Sequence, residues 1–430
     1  MKKEFGPPAA GALVIAALGA LHLPLAAPVY MYTGVFITAS AIFLLLARTL
    51  LKTSISRTTL LVFLSLALLL RSSFLLTPPI GSDDVYRYLW DGNVQADGIN
   101  PYRYPPDAGE LRHLSTPLLP SHVNHPEMKT AYFPLAEWLF AGAYRLSGEA
   151  IWGWKLLLLF AEALTLAGLI LLLRQTGRPP RLILLYALCP LPVLSFALDA
   201  HVDGVGLTFL VFSLLFHLRG RKPVSLMLLG LAIAVKPVAL AALPVLFFTE
   251  QAMAGRARVL LIPTLTVLCG FLPYLGDAGP WESFFALTQH WAFNGSVFSL
   301  LYVVLGDNQI ARLVCGILLV SALALLARRT GDFLPKITLA FLLLLMFSPV
   351  VHPWYVVWMT VLLPATPFWS GLVLSSSVSL TAFTVLSFVT GGAWKEYLPL
   401  VLLEYLPVVY FIIHDLRTGV PASQPAGSND

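Results

Sequence analysis

The feature that most constrains this chain is the recurrence, almost from end to end, of apolar runs near the roughly 20 residues a helix needs to cross a bilayer. Short loops carrying much of the arginine and lysine separate them. Such runs fold as helices because hydrocarbon offers the backbone no hydrogen-bond partner except itself. The alternation of apolar and polar residues that marks a membrane barrel is missing. Composition agrees, with 58% of the 430 residues hydrophobic, 11% charged and a mean hydropathy of +0.80, where soluble domains carry about 25% charged residues. The sequence therefore predicts an all-α polytopic membrane helix bundle of about 11 to 14 membrane segments, some short or re-entrant. The net charge of +5 belongs to topology and implies no nucleic-acid partner. Cys189, Cys269 and Cys315 lie within apolar runs, which argues against a disulfide framework or a metal cluster.

Loop charges order the segments. MKKEF and the apolar stretch Pro8–Tyr30 read as an uncleaved first span with a cytoplasmic N-terminus, since the apolar region is long for a signal peptide. Spans near Tyr32–Leu50 and Thr59–Leu76 follow, with Arg48, Lys52 and Arg57 inside. Thr77–Glu149 is the one long polar insert and emerges on the outer face. Beyond it, spans are expected near Ile151–Leu173, Arg181–Leu198 and Val205–Leu218. The stretch Pro223–Phe248 has basic loops at both ends, so it is expected to fold as two short helices turning at Lys236-Pro237, where proline breaks the helix. Further segments fall near Arg258–Leu275, Ile310–Leu326, Lys336–Phe347, Trp354–Leu363, Phe368–Val389 and Leu398–Ile413. One integral membrane domain thus covers residues 1–416, and 417–430 form a disordered cytoplasmic tail.

On this topology the unusual polar residues converge on the outer face: Asp83 to Glu149, Asp199-Ala-His201-Val-Asp203, Lys236, Glu282 to Asn294, and His352-Pro-Trp354-Tyr355. Polar groups at a membrane boundary are costly and mark function by default. Asp83 and Asp84 open a helical-looking segment, so they are either an N-cap with a first-turn acid or a carboxylate pair, one of which can act as general base. Arg87, three to four residues on, is either their ion-pair partner or a phosphate ligand. Asp91 and Asn100 resemble helix-end and turn chemistry beside a substrate-binding role. His122, His125 and Glu127 hint at a metal, but the proline among them gives no helical ligand spacing. Tyr132 to Ala136 opens an amphipathic helix with Trp138 and Tyr144 as interfacial anchors. Lys236, in an apolar segment, needs an anion or a route to water. His201 and Asp203 are a cap or cavity residues, and Trp354 and Tyr355 an aromatic belt or part of the site. No nucleophile elbow, phosphate-cradling glycine loop or dinucleotide fingerprint is present.

The segments DDVYRYLWDGNVQADGINPYRY, HPEMKTAYFPLAEWLF, KPVALAALPVLF and HPWYVVWMTVLLP, in that order from about Ser82 to Pro364, resemble bacterial glycosyltransferases of the GT-C superfamily. They are most similar to the polyprenyl-phosphate-mannose-dependent enzymes such as glycosyltransferase family 87. The resemblance implies an inverting hexosyltransferase of the bacterial cytoplasmic membrane, with mannose the expected sugar, a polyprenyl-phosphate-linked donor, a lipid or glycan acceptor, and both termini cytoplasmic. It further implies that Asp83 or Asp84 is the base and that Lys236, Arg87, His201 and His352 hold the departing phosphate. Tyr86, Asp91, Asn100, His125, Tyr132, Asp203, Trp354 and Tyr355 are then expected to bind substrate. No cofactor is required, and a divalent metal is possible without being indicated. The Tyr-Phe-Pro at Tyr132 departs mildly from the family's Tyr-Pro. The competing class is a glycolipid transporter or flippase, which predicts internal repeats and polar residues near the midplane in both halves.

Overall fold

The structure, a computed structural model, describes residues 6–23, 27–276, 279 and 281–418. Among them there is no strand, only an isolated bridge between Phe293 and Val350. Six helices are long and apolar enough to span a bilayer: Pro28–Lys52, Trp152–Gln175, Met253–Tyr274, Asn308–Arg328, Trp369–Gly391 and Leu398–Thr418. A seventh candidate, Pro180–Ala187 with Pro190–Leu198, bends by 49°. The shorter apolar helices Pro7–His22, Asp203–Leu218, Lys222–Val235, Pro237–Thr249 and Phe333–Phe347 complete the bundle. Full-length spans are thus fewer than the expected segments, because proline and buried polar groups divide several apolar runs into partial helices. The expected tail, residues 417–430, lies almost wholly outside the described residues.

Helix ends follow local chemistry. Ser56 caps Arg57–Ser73 by accepting from the Thr59 amide at 3.0 Å, and Asp307 caps Asn308–Arg328 through the Ile310 amide at 2.9 Å. Pro28 and Pro134 occupy first-turn positions, where an amide proton is not needed. The polar insert forms the helix Asp84–Ala96, a turn of 3-10 helix at Gly109–Leu114 and the helix Pro134–Ser147.

The expected break of Pro223–Phe248 into two short helices at Lys236-Pro237 is borne out. Lys222–Val235 ends at Lys236, which is extended, and Leu243–Thr249 returns after a 3-10 turn. Lys222 Nζ, at the start, lies 2.6 Å from Glu250 Oε1, just past the end, so both arms finish on one side with Lys236 at the tip. Gly230 admits Pro263 and Thr266 of the next helix at a distance no side chain would allow.

One buried ionic group sits within the bundle. Arg71 Nε meets Glu162 Oε2 at 3.0 Å, Tyr186 donates to Glu162 Oε1 at 2.5 Å, and Arg71 Nη1 donates to the Ala187 carbonyl at 2.8 Å. That last bond satisfies a carbonyl exposed by the helix break before Pro190. Replacing Glu162 by Leu should destabilise the fold by about 3–5 kcal/mol by leaving the buried guanidinium without its counter-ion, measured as denaturant or thermal unfolding in detergent. A loss within 1 kcal/mol would show the pair to be dispensable.

Candidate active site

The acid pair is presented by a segment fastened at both ends of its approach. Lys155 Nζ donates to the carbonyls of Phe74, Thr77 and Leu198 at 3.1, 2.6 and 2.7 Å. Asp199 accepts from the amides of Ile80 and Gly81 at 2.9 and 2.8 Å and from the Tyr32 hydroxyl at 3.3 Å. Any side chain at Gly81 would collide with Tyr32 and Asp199, so the backbone must approach bare. Asp83 then occupies the N-cap position of Asp84–Ala96, yet its side chain caps no amide. Asp83 at the N-cap and Asp84 in the first turn occupy the positions the capping reading expects, but no side-chain cap bond forms. Asn124 Nδ2 instead donates to both carboxylates, at 2.8 Å to Asp83 and 3.0 Å to Asp84.

The two carboxylates have different surroundings. Asp83 is exposed at the rim, whereas Asp84 faces inward, with its Oδ2 3.4 Å from Nδ1 of the fully buried His201. Neither ring nitrogen of His201 makes a hydrogen bond among the described residues. Its ring lies flat on Trp354, centroids 3.6 Å apart, and Trp354 lies flat on His352 at 4.4 Å, giving a His-Trp-His stack. Below it, Lys236 Nζ meets Asp203 Oδ2 at 2.7 Å and sits 4.6 Å from the centre of the Tyr355 ring. Trp358 Nε1 donates to the other oxygen of Asp203 at 2.7 Å. Tyr132 approaches Tyr88, hydroxyls 3.5 Å apart, with both rings packed on Phe140.

Electrostatics separate the pair further. Partial burial pushes Asp83 up, and the charge of Asp84 adds to it, outweighing the Asn124 bond. Burial also opposes the charge of Asp84, but the His201 ring, the Asn124 amide and the Lys236 ammonium outweigh it and hold the carboxyl well below the usual range. Asp84 is consequently ionised at any physiological pH, beside a fixed cation.

The expected residues divide into three groups. Asp84, His201, His352, Trp354, Lys236, Asp203 and Tyr355 form one connected cluster, joined at its edge by Tyr132. Asp83, Tyr86 and His125 stand at the rim: the Tyr86 ring packs on His122 at 5.2 Å, and His125, at φ 48°, packs on Trp291 at 4.8 Å. Arg87, Asp91 and Asn100 serve the fold. Arg87 Nε lies 3.0 Å from both oxygens of Asp91 and its Nη1 donates to the Met128 carbonyl, so it is not the partner of the acid pair. Asp91 is buried and needs a counter-charge four residues away, whereas the acid pair already has Asn124, His201 and Lys236. Asn100 Oδ1 accepts from the Tyr102 amide, a turn contact. Among the described residues no three His, Cys, Asp or Glu side chains group to hold a metal.

Sequence reasoning passed over several residues. Lys155 was legible as a cation inside an apolar run. Asn124 and Trp358 gave no local signal, because their partners are 40 and 155 positions away. Asn294, at φ 52°, is held by Glu396 on its amide at 2.7 Å, Glu404 on its side chain at 3.1 Å and the Tyr405 hydroxyl on its carbonyl at 2.7 Å. Its neighbour Phe293 packs on His352 at 4.7 Å, so the last helix braces the stack.

Because Asp84 titrates lower in the folded chain than in the unfolded one, its charge stabilises the fold at pH values above the unfolded pKa of about 4, and the contribution is lost as pH falls below that. Asp84→Asn should therefore lower the melting temperature at pH 7, and the difference should begin to shrink at about pH 4 and vanish only as pH falls on towards the far lower folded pKa. A constant difference across that range would show that the shift is absent.

The residues 5–251 match the family model described as the N-terminal domain of alpha-(1->6)-mannopyranosyltransferase, and residues 298–414 match the MptB C-terminal domain. An alpha-(1->6)-mannopyranosyltransferase of Mycobacterium tuberculosis is 30% identical over 155 residues, covering 34% of this chain and 25% of the relative. A probable alpha-(1->6)-mannopyranosyltransferase of Mycolicibacterium smegmatis is 25% identical over 359 residues, covering 68% of this chain and 62% of the relative. The chain thus spans less than two thirds of the length of these curated relatives. No solved structure matches. The first family model alone covers more than half of the chain, and it includes the acid pair, His201 and Lys236; the protein belongs to the alpha-(1->6)-mannopyranosyltransferase family of GT-C type membrane proteins.

Proposed function

We propose that the protein is an inverting glycosyltransferase that moves mannose, in α-1,6 linkage, from a polyprenyl-phosphate-linked donor to a lipid or glycan acceptor at the outer face of the cytoplasmic membrane. The observation that carries this reading is the inward-facing, ionised Asp84 in one connected side-chain cluster with His201, His352 and Lys236. The family membership supplies the sugar and the linkage. A lipid-phosphate donor is supported by what the chain lacks and what it has: no nucleotide-binding motif, and a cation at the tip of a hairpin.

Asp84 is the base in this proposal, on the rule that geometry ranks before pKa. Its carboxylate takes the proton of the acceptor hydroxyl as that oxygen attacks the anomeric carbon. The bond from that carbon to the phosphate oxygen breaks on the opposite face, and polyprenyl phosphate leaves with the bonding pair. Inversion giving an α product requires a β-linked donor. The developing phosphate charge is met by Lys236, whose ammonium has three donors and spends one on Asp203. In this reading His201, whose ring nitrogens make no hydrogen bond among the described residues, and His352, stacked with it through Trp354, assist Lys236. Trp354, stacked between His201 and His352, and Tyr355, beneath the Lys236 ammonium, hold these side chains in place and meet substrate only by their edges. Asp83 tunes the pair from the rim, and Tyr86 and His125 border the acceptor entrance.

The test is transfer of radiolabelled mannose from polyprenyl-phosphate mannose to membrane lipid extract by purified protein. Asp84→Asn should reduce turnover by about 10²- to 10⁴-fold, the usual contribution of a positioned base, with donor binding retained. Asp83→Asn should cost about tenfold or less. Undiminished transfer by folded Asp84→Asn, or loss confined to Asp83→Asn, would remove Asp84 from the role of base.

A further inference from the structure

A charged cavity lies at the opposite end of the hairpin from Lys236. It has a volume of about 530 Å³ and is lined by Phe248, Arg256, Arg328, Arg329, Phe333 and Lys336, with neighbouring residues. That volume is within the roughly 300–1,000 Å³ typical of ligand sites. Its cations come from two places far apart in sequence: Arg256 in the first turn of the helix Met253–Phe271 that follows the hairpin, and Arg328, Arg329 and Lys336 on and beside the connection between Asn308–Arg328 and Phe333–Phe347. No carboxylate forms an ion pair with any of the four among the described residues. Glu250, whose carbonyl accepts from Arg256 Nε at 2.9 Å, has its carboxylate engaged by Lys222.

The guanidinium groups are also pre-arranged. Arg256 lies over the Phe247 ring at 5.5 Å and Arg328 over the Phe248 ring at 5.4 Å. Stacking holds a guanidinium by its face and leaves its N–H edges for an anion, Arg256 having given only its Nε to the Glu250 carbonyl. Lys336 donates to the Arg329 carbonyl and retains two further N–H donors. Basic loops that serve only to orient a membrane protein need neither convergence around a cavity nor aromatic supports.

We propose that this cavity binds a phosphate group, and that its carrier is the headgroup of an anionic membrane phospholipid. The surface beside it favours a lipid over a soluble phosphate: the helices Met253–Tyr274 and Asn308–Arg328, which lead away from the cavity, expose Leu260, Leu261, Leu318 and Leu325, as acyl chains would require. The site is distinct from the cluster around Asp84, and Phe248 and Thr249 on its wall belong to the second arm of the hairpin whose tip is Lys236.

The experiment reconstitutes the full chain in vesicles of equal phosphatidylglycerol and phosphatidylcholine, extracts it in detergent and measures the retained lipid by native mass spectrometry. Phosphatidylglycerol should be retained in preference, and the preference should fall about tenfold in Arg328→Gln/Lys336→Gln, the loss expected of charged hydrogen bonds. Arg328→Lys, which keeps the charge and loses the planar fork, should fall by a few-fold and guards against misfolding of the double variant. Unchanged preference in both variants, or an equal fall in Arg57→Gln in another basic loop, overturns the proposal. Displacement of retained phosphatidylglycerol by millimolar glycerol phosphate supports the phosphate site and overturns the lipid as its carrier.

Discussion

The rest of the structure depends on a short unwound connector, Leu198 to Asp203, set where apolar surroundings would penalise any unpaired backbone or charged group. Each of its polar groups has been given work. The Leu198 carbonyl accepts from Lys155, Asp199 holds the amides of Ile80 and Gly81, the Ala200 carbonyl accepts from Trp154 at 2.7 Å, and Asp203 binds Lys236 and Trp358. Four parts of the chain are tied together through these bonds: the approach to the acid pair, the helix Trp152–Gln175, the hairpin tip and the helix Pro353–Thr360. Ala200 adopts φ 63° to make this possible, a conformation a non-glycine residue holds only when its surroundings fix it. Among the described residues the ring nitrogens of His201 make no hydrogen bond, and Nδ1 lies 3.4 Å from Asp84 Oδ2.

Desolvation gives the acid pair its asymmetry. Two adjacent carboxylates cannot both be held ionised in an apolar setting without compensation, and the fold compensates only one of them. Asp84 receives the imidazole and the field of Lys236, while Asp83 stays at the exposed rim and shares Asn124. A single amide bridging both side chains fixes their relative orientation, so the chemical difference between neighbours in sequence arises from residues 40 and 117 positions away. The second buried ionic group, Arg71 with Glu162, answers the same cost by a different route, because there both charges are enclosed and the bonds close upon the fold itself.

The two cation-bearing ends of the hairpin illustrate how one element can address both sides of a bundle. At the tip, Lys236 is drawn into the protein by Asp203 and the Tyr355 ring. At the base, Arg256 is turned onto the Phe247 face and stays open to an anion. Proline after Lys236 is what separates these environments, since an unbroken helix of this length would cross to the far side and leave basic loops on both.

Much of this was written in the sequence. Apolar length alone dictated a helical membrane bundle, because only helices satisfy their own backbone in hydrocarbon. The charge of the flanking loops located the hairpin, and the cost of polar residues near lipid singled out Asp84, His201, Asp203, Lys236 and His352. The order of four motifs pointed to the enzyme family. Tertiary structure decided what spacing could not. Arg87 is three residues from Asp84 and four from Asp91, and only the burial of Asp91 awards it there; Asp83 looks like a cap, and only the helix geometry shows its carboxylate capping nothing. Asn124 and Trp358 act on partners remote in sequence, so no local pattern records them. Sequence fixes which groups are expensive to bury, whereas the pairing that offsets the expense is a property of the folded chain.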